Sequence, residues 1–432
     1  MGNILICGAD VITLDVDGAV LRGADVAICD GLIAAVGAVP DDFQPDEIIE
    51  AHHHILMPGL YNAHMHSGTV LSRAVGGPDV SDPWFDLRVT KDAQVNHAIR
   101  SPMTPEAAYW AASLAAAEMI RGGVVGFMDQ YFYMDQVARV VLESGLRANL
   151  AWCTFGDEGG EIGGDVAAIA AFTESWRGAG KGRIQTSFGP HSPYMCSPQF
   201  LARTAAVAAR LGVDIHLRLA ESREQVELSL LAYDMTPVQV LDQNGVLDLP
   251  VVAANVAYLS DFDLDILLAR GVRIVVCPKA QAAAGLAVSP MSLFHAAGID
   301  LALGTDGAGL AGSLDMFEVF RSAASHLSED EQAAGLALGL ATWGGARVLG
   351  FANCGRLAPE HAADLLMIDC HRPHLWPVRD PLGTVLHSVR AGDVTDVMVA
   401  GQWLMRKGKL VTIDEEHILA ETGRRGEIAA GW

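Results

Sequence analysis

Charge is scarce in this chain, and positive charge is scarcer still. Charged residues make up 19% of 432, with 29 Lys and Arg against 52 Asp and Glu, a formal net charge of −23. A surface so poor in cations repels a phosphate backbone, which sets nucleic acid aside as a partner. The same acidic excess keeps a globular protein dissolved, which is its commoner meaning. Paired cysteines are missing too. Cys7, Cys29, Cys153, Cys196, Cys277, Cys354 and Cys370 are scattered, odd in number and without a C-x-x-C pair. This excludes a disulfide framework and a cysteine-based zinc site. The opening MGNILICGADVITLD has neither a basic start nor a long apolar run, so no secretory leader is expected. The apolar stretches Ala107–Ile120 and Gly335–Cys354 carry Glu118 and Arg347 and suit no membrane span. A cytoplasmic location is therefore expected, away from membranes. Internal repeats, low-complexity tracts and long linkers are also absent.

What is present is apolar and rich in turns. Hydrophobic residues make up 51%, and there are 45 glycines. That balance suits a compact enzyme with many loops. From about Asn3 to Met57, short strand-like runs such as ILICGADVITLD and LIAAVG are broken by Asp-Gly and Arg-Gly turns. From Pro58 the pattern changes to apolar runs alternating with Ala-rich helical stretches. The runs Leu60–His66, Val124–Gln130, Ala148–Phe155, Ile184–Pro190, Val213–Leu219, Val251–Val256, Val272–Pro278 and Asp300–Gly304 read as eight strands. Continuous apolar strands, each followed by a helix, form a parallel sheet covered on both faces, and eight such units close into a barrel. After about Gly355 strand-like runs return: ADLLMIDC, VTDVMVAG and QWLMRKGKLV. The expected fold is α/β: a (β/α)8 barrel over residues 58–354, beside one β-sandwich domain built from residues 1–57 and 355–432.

In such a barrel the chemistry sits at the C-terminal ends of the strands. The first strand ends in PGLYNAHMH, where His64 and His66 are two apart and share a face. Two imidazoles there are a natural metal-binding pair, although an isolated H-x-H is common by chance. The eighth strand ends in LGTDG, which places Asp306 at the mouth. The neighbouring triplet His52–His54 reads as an exposed connector.

Together, PGLYNAHMH, FGPHSPYMCSP, LAESREQVE and LGTDG resemble the amidohydrolase superfamily. Within it the chain is most similar to the S-adenosylhomocysteine/methylthioadenosine deaminases and the triazine hydrolases. The resemblance runs through TPVQVLDQNGVL and GSLDMFEVFR to the closing GRLAPEHAADLLMID. It implies a hydrolase of C–N bonds in a small heterocyclic or amide-like molecule. It also implies a zinc or iron ion on two first-strand histidines, a fifth-strand histidine and the eighth-strand aspartate, assisted by a fifth-strand glutamate and a sixth-strand histidine. Such an ion makes hydroxide available near neutral pH. The resemblance further implies that His191 faces the substrate, that Arg73 and Trp84 lie in a substrate-contacting loop, and that the protein is a homodimer.

Two positions depart from the family pattern. In IHLRLAES, Glu221 matches the glutamate, but Arg218 stands three residues before it where the family has the ligand histidine, and His216 lies two residues earlier. In AANVAYLS, Asn255 replaces the sixth-strand histidine. A guanidinium has no lone pair to donate and repels a cation. Either Arg218 turns away and an ion is held by His64, His66, Asp306 and His216, or the ion is weakly held or gone. In the latter case Arg218 supplies the positive charge. The metal set expected is thus His64, His66 and Asp306; the catalytic set is Glu221, Asp306, Arg218 and His191; the substrate set is Arg73, Trp84, His191 and Asn255. Two rivals accompany the hydrolase reading: a metal-independent lyase, isomerase or tailoring enzyme using Arg218, Glu221 and Asp306, and a non-catalytic binding protein.

Overall fold

In a computed structural model of the chain, the described residues are 2–15, 18–73, 103–157, 160–162, 165–327 and 331–429. Eight parallel barrel strands follow one another as Leu60–His66, Val124–Tyr131, Arg147–Asp157, Ile184–Pro190, Ile215–Arg218, Val251–Ala254, Arg273–Val276 and a final strand in two pieces, Leu301–Leu303 and Asp306–Gly307. The first piece pairs with the seventh strand and the second with the first, so the ring closes across Gly304 and Thr305. Glycine is required at that seam, because a Cβ on Gly304 would lie 2.6 Å from the His64 carbonyl oxygen. Every residue of the first, second, fifth and sixth strands is buried, as apolar runs covered on both faces must be.

The helices begin where the sequence supplies caps. Thr104, Ser197, Thr236 and Ser260 each accept a backbone N–H of the first turn of the helices Pro105–Arg121, Pro198–Leu211, Pro237–Gln243 and Asp261–Ala269. Proline opens the first three of these, where its missing N–H costs nothing. Other helices were not expected from the sequence. Arg223–Tyr233 leaves Leu230 and Leu231 exposed. Met316–Leu327 and Glu331–Gly339 follow the barrel's last strand.

Among the described residues, nine strands from the two ends of the chain form one mixed sheet. Its order is Lys409–Leu410, Gln402–Arg406, Val394–Val399, Leu365–Asp369, His54–Pro58, Ile4–Ile12, Val20–Cys29 and Leu32–Gly37, with Glu47–Glu50 beside Ile4–Ile12. The two ends meet where Leu365–Asp369 runs antiparallel to His54–Pro58. Beyond Leu410, past the last strand-like run read in the sequence, the chain forms the helix Glu415–Ala429. This helix lies on a barrel helix, with Arg121 paired to Glu415, Arg425 paired to Glu106, and Arg425 over the Trp110 ring. Among the described residues no helix is long and apolar enough to cross a membrane.

Candidate functional site

The first, second, fifth, sixth and eighth strands deliver buried polar side chains to one end of the barrel. His66 is oriented by its neighbour strand: its Nδ1 lies 2.7 Å from the Gln130 carbonyl oxygen, which can only accept. The ring's proton therefore sits on Nδ1, and the Nε2 lone pair faces the barrel mouth. His64 Nδ1 is 2.8 Å from His216 Nε2, leaving His64 Nε2 buried with no hydrogen-bond partner. Asp306 and Asn255 both adopt a left-handed backbone, with φ of 61°, at the ends of their strands. Short polar residues tolerate that conformation.

Arg218, the last residue of the fifth strand, points into this group. Its Nη1 donates to Glu221 Oε1 at 2.8 Å, and its Nη2 donates to both oxygens of Asp306 at 2.6 and 2.5 Å. The same Nη2 lies 3.2 Å from His66 Nε2. Asn255 Nδ2 spans the two carboxylates, at 2.7 Å from Asp306 Oδ2 and 3.2 Å from Glu221 Oε1. Tyr194 adds a hydroxyl at 2.8 Å from Glu221 Oε2. Arg218 is 6% exposed, Glu221 2% and Asp306 4%, so these are buried charges satisfied by one another.

The electrostatics follow from burial and pairing. Burial alone would raise the Asp306 carboxyl, but the Arg218 guanidinium holds it well below its ordinary value. Burial would lower Arg218, and the two carboxylates more than reverse that. Burial lowers His64 and His191, and the Arg218 guanidinium adds repulsion at both, so both rings stay neutral. Burial, with Arg218 and Arg273 nearby, brings His216 down to about 3.

The expected site residues separate into those that meet and those that do not. His64, His66, Arg218, Glu221, Asn255 and Asp306 converge. His191 joins them through its backbone oxygen, which accepts from the Arg218 N–H at 2.9 Å, while its ring stacks on Phe155. His216 is spent on His64. Arg73 pairs with Glu118 at 2.5 Å and lines a different cavity of about 440 Å³, shared with Arg121, Arg372 and Lys407. Trp84 lies outside the described residues. Sequence reading missed Tyr194 and Asp129. Burial pushes the Asp129 carboxyl up to about 6, and its Oδ2 is buried with no partner. Reading the end of the second strand, VVGFMDQY, as the first and eighth were read would have found Asp129.

His64, His66 and Asp306 form a group that could hold a metal ion, their ligand atoms lying within 4.8 Å of one another. With Arg218 in place the fit fails. Both Asp306 oxygens and His66 Nε2 already face the guanidinium, and only His64 Nε2 is left. A single donor does not hold an ion.

The model of the amidohydrolase family matches residues 55–404. A methylthioadenosine/S-adenosylhomocysteine deaminase of Pelotomaculum thermopropionicum is 36% identical over 98% of this chain and 98% of its own length. Among solved structures, a zinc-bound adenosine deaminase of Xanthomonas campestris superposes with a TM-score of 0.89 at 28% identity, covering 99% of this chain and 98% of that one. The zinc complex of atrazine chlorohydrolase from Arthrobacter aurescens has the same fold, with a TM-score of 0.86 at 23% identity over 98% of this chain and 100% of that one.

Proposed function

The chain belongs to the amidohydrolase family and is a hydrolase of that superfamily, and from this premise we propose that it deaminates a small heterocyclic substrate or cleaves a comparable C–N bond. The observation that carries the reading is Glu221. It stands at the end of the fifth strand of a chain alike throughout to a deaminase, and Arg218, Asn255 and Tyr194 hold its carboxylate in place. In this reading Glu221 takes a proton from water as the oxygen–carbon bond forms. It returns that proton to the leaving nitrogen as the C–N bond breaks and ammonia departs, and the water's second proton ends on the neighbouring ring nitrogen, leaving a carbonyl. Arg218 steadies the negative charge that develops on the way. His191 and Asn255 belong to substrate binding in this reading, and Arg73, paired with Glu118 in a different cavity, does not. No step is routed through a metal ion. Residues 58–354 are taken as the catalytic barrel, residues 1–57 and 355–432 as its companion domain, and a homodimer as the assembly, on family analogy.

The test is ammonia release from methylthioadenosine, S-adenosylhomocysteine, adenosine and aminotriazines by the purified protein, with Glu221→Gln as control. Release from none of them would remove the deaminase reading. A second reading, a lyase or isomerase, is favoured by one observation, the guanidinium at the mouth. Isotopically labelled water separates the two, because hydrolysis places a solvent oxygen in the product and isomerisation does not.

A further inference from the structure

We infer that Arg218 is the resident cation of this barrel, and that the folded chain takes up no divalent metal between His64, His66 and Asp306. The inference concerns what fills the site and does not depend on which reaction occurs there.

The argument starts from what surrounds a single nitrogen. Arg218 Nη2 stands within 2.6 Å of both Asp306 oxygens and 3.2 Å from His66 Nε2. His66 presents a lone pair there, because its proton is held on Nδ1 by the Gln130 carbonyl. His66 Nε2 and Asp306 Oδ1 lie 3.3 Å apart, and two acceptors at that distance repel unless a positive group lies against both. The guanidinium nitrogen is that group. A divalent ion would be drawn to the same donors.

The acceptors are also used up. Asp306 Oδ1 accepts from Arg218 and from the Gly307 N–H at 2.7 Å, and Oδ2 accepts from Arg218 and Asn255. Admitting an ion would mean expelling Arg218. Its side chain is 7% exposed, and its backbone is paired within the sheet. The move would also leave Glu221 without its cation. If Arg218 stayed, a like charge would sit directly beside the ion. Asn255 completes the exchange. An imidazole at that position would offer one donor at most, whereas its amide nitrogen bridges Asp306 and Glu221 together. The two departures noted in the sequence thus act as one set: a fixed cation, and a neutral donor tying together the carboxylates it balances.

The experiment is elemental analysis of the full chain, purified without chelator from zinc- and iron-supplemented medium, beside Arg218→His and Arg218→His/Asn255→His. The expected result is below about a tenth of an ion per chain for the unmutated protein and a rise towards roughly one zinc in the variants. One zinc or iron per unmutated chain, resistant to dialysis against chelator, overturns the inference. So does a folded Arg218→His that stays metal-free. Should the variants fail to fold, the unmutated protein is melted with and without excess zinc. An unchanged Tm supports the inference, and a Tm that climbs with zinc concentration overturns it. These readouts are separate from turnover. Ammonia release by a zinc-loaded protein would sink this inference and spare the deaminase reading; a metal-free protein that releases none would do the reverse.

Discussion

Arg218 neutralises two carboxylates that burial would otherwise push toward protonation, and that pairing governs how the residue scale responds to change. Asp306 has its folded pKa held below the ordinary value, so its contribution to stability is present above about pH 4 and lost on acidification. Replacing Arg218 by methionine leaves burial unopposed and inverts the sign, because a raised carboxyl loses stability as pH rises. Arg218→Met is expected to cost ~3–5 kcal/mol at neutral pH and less at pH 5, read from urea unfolding at both values. An equal cost at the two would contradict the pairing. Asp129 already shows the raised case, shifted from 3.8 to about 6 by burial, with Ser67 N–H at 3.1 Å bonded to Oδ1. Its effect opposes folding and grows as pH rises from 4 to 6. Asp129→Asn should therefore raise stability at pH 7 by about 1–3 kcal/mol and hardly change it at pH 4. Glu221→Gln should lower turnover ~10²–10⁴-fold with an unchanged melting temperature, the pattern of a lost proton carrier.

At the scale of elements, two junctions hold the barrel in register. The first is the seam at Gly304, where the last strand passes against the His64 backbone. Gly304→Ala would force the first and eighth strands apart, at a cost of ~1–3 kcal/mol. It would also move His64 and Asp306 relative to each other, so turnover should fall further than stability alone explains. Retained activity in that variant would show the seam to be slack. The second junction ties the barrel to the terminal sheet. Asp364, beside the strand Leu365–Asp369, accepts from Arg147 at 2.6 and 3.0 Å, from the Tyr61 hydroxyl at 2.8 Å and from the Ala400 N–H at 2.8 Å. Arg147 and Tyr61 begin two barrel strands, so one buried carboxylate anchors two elements of one sheet to the other. Asp364→Ala strands the Arg147 charge and is expected to destabilise by ~3–5 kcal/mol, with denaturant curves as the measure.

For the whole molecule, acid is the expected route to unfolding. His64, His191 and His216 are held neutral by burial, whereas the unfolded chain protonates them near pH 6.5. Each lowered histidine contributes stability that is lost as pH falls below that value. Asp129 opposes this between pH 6 and 4, but three histidines outweigh one carboxyl. Unfolding midpoints in urea should therefore peak near neutrality and drop steeply below about pH 6. A flat profile between pH 7 and pH 5 would mean that these rings are charged in the fold. The helix Glu415–Ala429 also acts at this scale, because it carries the end of the chain back onto the barrel helix Pro105–Arg121.

The architecture was legible because apolar strands covered on both faces, and helices that start at Thr-Pro or Ser-Pro caps, announce themselves locally. Leu60–His66 and Ile184–Pro190 were read with their observed boundaries for that reason. The helices Arg223–Tyr233 and Glu415–Ala429 were not, since their partly exposed faces blur the apolar period. Residue identity alone determined that Arg218 cannot ligate an ion and that Glu221 and Asp306 are carboxylates at strand ends. It left open where the guanidinium points, whether His216 replaces the missing ligand, and whether Arg73 reaches the site. The tertiary structure decided those matters. Parallel pairing sets Arg218 beside Ala254 in register, and closure through Gly304 brings Asp306 against Met65 from the far end of the barrel. Closure of the ring places residues 88 positions apart within 2.6 Å, and in that buried space an unpaired charge costs more than a paired one.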